Sequence, residues 1–163
     1  LLLELLDKCG ELRIHRAVDT SLYATESLVR EIAQNCELIL ADMKHMDPAM
    51  HIKYTGQSNE LILSNIRMLA NEGFSFTPRI PLIEGINADE QNITAAAQFL
   101  ASLPGFEERT VELLPYHDVA KGKHEKLYTN YNPDNIPMDK PSPETIARCI
   151  AIFDSYGIEA TSR

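Results

Sequence analysis

The 163-residue sequence predicts an α/β fold built on parallel strands. Short apolar runs such as Leu38-Ile39-Leu40-Ala41 alternate along the chain with amphipathic stretches at helical spacing. Strand–helix alternation implies parallel strands joined by right-handed crossovers. Polar residues also recur where each predicted strand runs out, which is where parallel α/β folds build their sites. Four such strands make either an open sheet or a sector of a barrel, and a sector leaves one edge uncovered.

Residues 1–9 read as an amphipathic helix stopped by Gly10, a residue that favours the left-handed stop conformation. No Met precedes this helix and nothing caps it, so the upstream part of the fold is expected to be missing. Residues 13–20 read as the first strand, 26–34 as a helix and 36–43 as a second strand covered on both faces. Asp47-Pro48 starts a short helix, a cap followed by proline at the first helical position. Ser58 or Asn59 caps the next helix, where Ile62, Ile66 and Leu69 recur at helical spacing before Gly73. Residues 74–81 form the third strand. Residues 88–103 form a helix with Asp89 and Glu90 in its first turn, where the helix dipole favours negative charge. Residues 110–114 form the fourth strand, and 121–140, rich in Asn, Pro and Lys, a surface loop. Ser142-Pro143 opens the last helix, with Ile146, Ile150 and Phe153 as its apolar stripe and Gly157 as its stop. There is no internal repeat.

Composition narrows the function. Hydrophobic residues make up 44% and charged residues 24%, the balance of a soluble globular protein. No apolar run is long enough to span a bilayer. The opening leucines are interrupted by Glu4 and Asp7, which excludes a signal peptide. A net charge of −9 argues against a nucleic-acid surface, which needs clustered Lys and Arg. Cys9, Cys36 and Cys149 lie far apart with no Cys-x-x-Cys pair, so no local zinc or iron–sulfur site is supported. Free thiols in a reducing cytoplasm are the favoured reading.

The candidate site residues stand at the strand ends. Asp19-Thr20 closes the first strand, and Asp42 and Lys44 the second. Arg79 lies in the third, and Tyr116-His117 follows the fourth. Each has a plain alternative: Asp19 as a turn cap, Lys44 as a solvated lysine, His117 as a structural loop histidine. Arg79 in an apolar strand is harder to dismiss, because a buried guanidinium needs a partner. Together they suit a polar, zwitterionic ligand: Lys44 and Arg79 for a carboxylate, Asp19 and Asp42 for an amine, hydroxyls or a cation. Gly85-Ile86-Asn87 reads as a tight turn in preference to a phosphate nest. His45, Met46 and His51 match no metal spacing. The basic run Lys121-Gly122-Lys123-His124-Glu125-Lys126 reads as solvated loop.

Three stretches carry a resemblance: Val18-Asp19-Thr20-Ser21; Leu38 through Asp42-Met43-Lys44-His45-Met46-Asp47, continuing past His51 and Lys53-Tyr54-Thr55-Gly56 to Ser58-Asn59; and Val111-Glu112-Leu113-Leu114-Pro115-Tyr116-His117. Arg79-Ile80-Pro81-Leu82-Ile83 with Gly85-Ile86-Asn87 lies between the last two. These resemble the glycyl-radical-enzyme activating family of radical S-adenosylmethionine enzymes, whose best-known type is pyruvate formate-lyase activating enzyme. The second stretch is highly specific, and the match runs in order over nearly the whole chain.

The resemblance implies a partial TIM-type barrel, of which residues 1–163 form a single incomplete domain holding the last four of six strand–helix units. It implies S-adenosylmethionine and a 4Fe-4S cluster in the full-length protein, the cluster held by a cysteine triad early in the barrel. Reductive cleavage then gives a deoxyadenosyl radical that takes hydrogen from a glycine of the partner. By position, Asp42, Lys44, His117 and Arg79 are implied to surround the cofactor. Asp19, Thr20 and Asp42 are implied to hold a monovalent cation, and Arg79 also to meet the partner's glycine loop. The implied partners are a glycyl radical enzyme and an electron donor such as flavodoxin or ferredoxin, in the cytoplasm, with no nucleic acid or membrane. The cysteine triad is absent, so this chain alone is expected to bind no cluster, to carry no catalytic residue and to generate no radical. Leu22 stands where many members have glycine, which leaves the local turn geometry open. The alternative is a truncated, non-catalytic relic or partner-binding regulator of the same fold.

Overall fold

Period-two runs rich in β-branched and aliphatic residues form the strands, and the intervening amphipathic runs form helices that cover one face of the sheet. The computed structural model describes residues 1–106, 109–117 and 136–162. In chain order these are α1 (Leu2–Glu11), β1 (Ala17–Thr20), α2 (Glu26–Gln34), β2 (Leu38–Asp42), α3 (Pro48–Thr55), α4 (Glu60–Asn71), β3 (Phe76–Leu82), α5 (Glu90–Ala101), β4 (Thr110–Pro115), α6 (Pro143–Ser155) and β5 (Glu159–Ser162). The strands form one parallel sheet in the order β1-β2-β3-β4-β5, so each strand pairs with its neighbour in sequence. This is the connectivity of a barrel sector.

The two faces of the sheet differ in chemistry. Ile39, Ala41, Phe76, Ile80, Leu82, Val111 and Leu113 are buried, as are Ile66 and Leu69 of α4, Ile93 and Leu100 of α5, and Phe153 of α6. These residues form the core between sheet and helices. The alternate positions Asp19, Leu40, Asp42, Thr77, Arg79, Glu112 and Leu114 share the opposite face by register. That face is polar, as the inner face of an unclosed barrel would be.

Helix ends follow the capping chemistry the sequence predicts. Asp47, Asp89 and Ser142 each accept a hydrogen bond from the backbone N–H three residues on. Gly73 and Gly157, both near φ +72°, end α4 and α6 in left-handed geometry. At each, the following N–H reaches back five residues, Phe74 to Leu69 O and Ile158 to Phe153 O. Asn59 precedes α4 without a side-chain cap; its amide is used elsewhere. Two expectations change. Helix α1 runs through Gly10 to Glu11, and Arg13 at φ 56° takes the left-handed stop, with Ile14 N–H bonded to Cys9 O. A Cβ on Gly10 would come within 2.5 Å of Arg16 Nη1, the end of a side chain. A fifth strand, β5, follows α6, where the sequence showed only the helix stop. The predicted loop at 121–140 lies outside the described residues up to 135; beyond it Asp139 bridges Glu84.

Arg16 explains why β1 begins at Ala17 and not at 13. Its guanidinium grips Glu37 at both carboxylate oxygens and donates to Leu6 O, tying α1 to the entry of β2. The Arg16 guanidinium and backbone N–H pull the Glu37 carboxyl down to about 2 from its ordinary 4.5. A carboxyl depressed on folding stabilises above its unfolded pKa and loses that contribution as pH falls through the folded value. Unfolding curves of the chain and of Glu37→Gln are therefore expected to differ above pH 5 and to converge as pH falls from 4.5 toward 2. A constant difference across that window would contradict the assignment.

Candidate functional site

The register puts three charged side chains in one row across the open face. Asp42 of β2 pairs with Arg79 of β3, and Arg79 pairs with Glu112 of β4. Arg79 Nη1 reaches over β2 to Asp19 Oδ2 of β1 at 2.6 Å, and its Nε lies 3.3 Å from Glu112 Oε2. Lys44, just past β2, donates to Asp42 Oδ2 at 2.7 Å. Four strands thus contribute to one polar rim, and the partner that a guanidinium in an apolar strand requires is two carboxylates. Glu112 was not singled out from the sequence; it is buried in Val111-Glu112-Leu113-Leu114, where no period marks its role. Among the described residues, three carboxylates, Asp19, Asp42 and Glu112, meet two cations, Lys44 and Arg79.

Lys44 is placed by amides that belong to other elements. Asn87 donates to Lys44 O and Pro81 O and accepts from Ile83 N–H. Asn59 donates to His45 O and Met46 O, and Asn92 accepts from Met46 N–H while donating to Asn87 O. All three asparagines are buried. A buried amide that satisfies backbone groups which have left the ladder fixes a loop at low entropic cost. The backbone of the segment after β2 is thus anchored at several points by side chains of other elements.

The segment after β1 is held the same way. Asn65 of α4 donates to Leu22 O and Ala24 O, and Thr20 Oγ1 accepts from Leu22 N–H. Leu22 has φ 57°, the left-handed geometry that glycine adopts more readily, and its side chain is buried. Leu22→Gly removes backbone strain of ~1 kcal/mol but also a buried side chain worth ~2–5 kcal/mol. It is expected to destabilise the chain by about 2 kcal/mol in urea unfolding; a gain in stability would show that strain outweighs packing. Thr20 pairs with Ala41 and so falls on the helix-facing side of the sheet, whereas Asp19 and Asp42 share the open face.

A small cavity of 230 Å³ opens beside Asp42 and Lys44, bounded by Ser21, Tyr23, His51 and Gln57. It is below the size of a typical cofactor pocket. His51 is buried, its Nδ1 within 2.6 Å of Gln57 O and 2.9 Å of Thr55 Oγ1. His45 Nδ1 accepts from Asp47 N–H, and burial pushes its pKa down. Both histidines thus serve their own loops. His117 is exposed two residues beyond β4, where Tyr116 N–H extends the pairing to Leu82 O. The N–H groups of Ile86, Asn87 and Ala88 all converge on Ile83 O, which makes this segment a turn and not an anion nest.

A sulfonium amino acid carries an amine and a sulfonium beside a carboxylate, and the described rim offers carboxylates beside two cations. That chemistry fits S-adenosylmethionine. Among the described residues no three His, Cys, Asp or Glu side chains come together to hold a metal ion. Cys149 is buried with a raised pKa, its Sγ facing Ala88 O, and Cys36 is likewise raised by burial. No described helix is long and apolar enough to cross a membrane.

No family model matches the chain. A crystal structure of a domain of pyruvate-formate lyase-activating enzyme from Bacteroides vulgatus superposes with a TM-score of 0.81 at 43% identity, covering 99% of this chain and 88% of that one. A radical SAM methyltransferase from Sphaerobacter thermophilus shares the fold, with a TM-score of 0.65 at 20% identity over 93% of this chain and 42% of that one. Among curated proteins, the trans-4-hydroxy-L-proline dehydratase activating enzyme of Clostridioides difficile is 35% identical over 92% of this chain. The choline trimethylamine-lyase activating enzyme of Oleidesulfovibrio alaskensis is 33% identical over 92%. The chain spans about half the length of these curated relatives, 49% of each. A partial α/β barrel with this strand order, this rim and these likenesses belongs to the glycyl-radical-enzyme activating family.

Proposed function

We propose that this chain is the carboxyl-terminal part of a radical S-adenosylmethionine activase that installs a glycyl radical on a partner enzyme such as pyruvate formate-lyase. The observation that carries the reading is the charged rim: Asp19, Asp42, Lys44, Arg79 and Glu112 converge from four strands in a chain 43% identical to a domain of such an activase. When bound, the cofactor and its cluster supply reductive cleavage to a radical that takes hydrogen from glycine. The residues of this chain bind and orient. Lys44 and Arg79 hold the ligand carboxylate, and Asp19 and Asp42 take its amine side. His117 borders the cofactor, and Arg79 also faces the partner's glycine loop. Asp19, Thr20 and Asp42 are proposed to hold a monovalent cation; Asp19 and Asp42 share a face for it, while Thr20 would contribute from the strand end. The cluster is proposed to sit on cysteines outside residues 1–163, which form one incomplete domain. The electron donor is proposed to be a flavodoxin or ferredoxin, and the setting the cytoplasm. The chain by itself then binds no cluster and generates no radical.

Two observations test the reading. In-frame coding sequence upstream of Leu1 is expected to encode Cys-x-x-x-Cys-x-x-Cys; a start codon directly before Leu1 would contradict it. The full-length protein, reduced anaerobically with a glycyl radical enzyme encoded beside it, is expected to give the partner's glycyl radical by electron paramagnetic resonance. Absence of that signal with every candidate partner would support the non-catalytic alternative.

A further inference from the structure

Arg79 lies between two unlike carboxylates. Its bond to Asp19 meets a side chain that is 59% exposed, and its contact with Glu112 meets one only 11% exposed. The Nε–H that faces Glu112 is buried and makes no hydrogen bond, because the 3.3 Å contact is out of line. An exposed ion pair contributes little, whereas a buried N–H left unpaired is costly. The guanidinium is thus drawn toward Asp19 at the expense of its buried edge. Whatever neutralises Asp19 removes that pull and frees Nε–H to align on Glu112, which its strand register holds directly opposite.

We propose that Glu112 is a positioning residue for Arg79: when Asp19 takes up the cationic part of a ligand, Arg79 transfers from Asp19 to Glu112 and turns its outer N–H edge to the ligand's carboxylate. The loosely held, exposed partner is exchanged and the buried one is kept. This couples the two ends of a zwitterion, since capture of its cation prepares the group that binds its anion. Lys44 and Asp42 pair with each other and do not take part in the exchange. The inference rests on reading the rim as the site of a zwitterionic ligand.

The test reads the Arg79 Nε–H signal by nitrogen-15 NMR in the 163-residue chain, assigned by its loss in Arg79→Lys. Asp19→Asn, an exposed change that does not threaten folding, mimics a neutralised Asp19. Exchange of Arg79 Nε–H with solvent is expected to slow about tenfold, the gain of one aligned charged hydrogen bond. Adding Glu112→Gln is expected to abolish the slowing; should that variant not fold, Glu112→Asp, too short to reach Nε, takes its place. Unchanged or faster exchange in Asp19→Asn, or slowing that survives the second substitution, would overturn the proposal. No cofactor is needed, so this result stands apart from the proposed function, which fails if full-length wild-type protein does not bind S-adenosylmethionine.

Discussion

Replacing Lys44 with alanine in the full-length protein is expected to weaken S-adenosylmethionine binding by about 10- to 100-fold. The estimate follows from losing one charge-assisted hydrogen bond, ~1.5–3 kcal/mol. Lys44 is the right residue to test because its side chain is 39% exposed and reaches the rim from a loop whose backbone is fixed elsewhere. Its removal should therefore cost binding without costing the fold. Asp42 keeps its place at the end of β2 in the variant, since that place is set by the ladder with Arg79. Titration calorimetry on the oxidised, cluster-loaded protein reads the affinity, and unfolding curves check the fold. His117→Ala is expected to weaken binding less, because the side chain is exposed at the end of β4. Unchanged affinity in both variants would remove the assignment of the rim.

Asn87→Ala is expected to lower stability by about 3–4 kcal/mol, the second large effect. One buried side chain serves three backbone groups: Lys44 O, Pro81 O and Ile83 N–H. Each would be left without its partner in a place that water does not readily reach, at ~1–3 kcal/mol apiece before relaxation. Lys44 is one of the three anchored residues, so ligand affinity should fall together with stability. In Lys44→Ala, by contrast, affinity should fall alone. Urea unfolding of the two variants side by side separates a residue that binds from one that holds the binder. A loss below ~1 kcal/mol would mean that a water or a loop shift replaces the amide.

The same distinction marks what could be read from the chain. Helices and strands announced themselves where burial follows a period: the Ile62, Ile66 and Leu69 stripe of α4, and the apolar runs of β2 and β3. Strand β5 did not, because Glu159-Ala160-Thr161-Ser162 has no large apolar residue and is recruited by pairing with β4. Helix α1 outran Gly10 because Arg13, two residues beyond the helix, takes the left-handed conformation, while Gly10 lies against the Arg16 guanidinium. Asp19, Asp42 and Lys44 were legible as strand-end polar residues, and the structure brings them within one rim with Arg79. Glu112 and the anchoring asparagines Asn59, Asn65, Asn87 and Asn92 were not. Their partners lie 4 to 46 residues away in the chain or across a ladder, and no local pattern records such a pairing.

The central claim is that this rim binds S-adenosylmethionine for reductive cleavage. The direct measurement is anaerobic incubation of the reconstituted, reduced full-length protein with S-adenosylmethionine, followed by quantification of 5′-deoxyadenosine and methionine. The account predicts formation of both products in equal amounts, sharply reduced in Lys44→Ala. A reconstituted protein with an intact cluster that binds the cofactor yet forms neither product, or one that cleaves it equally well without Lys44, would contradict it.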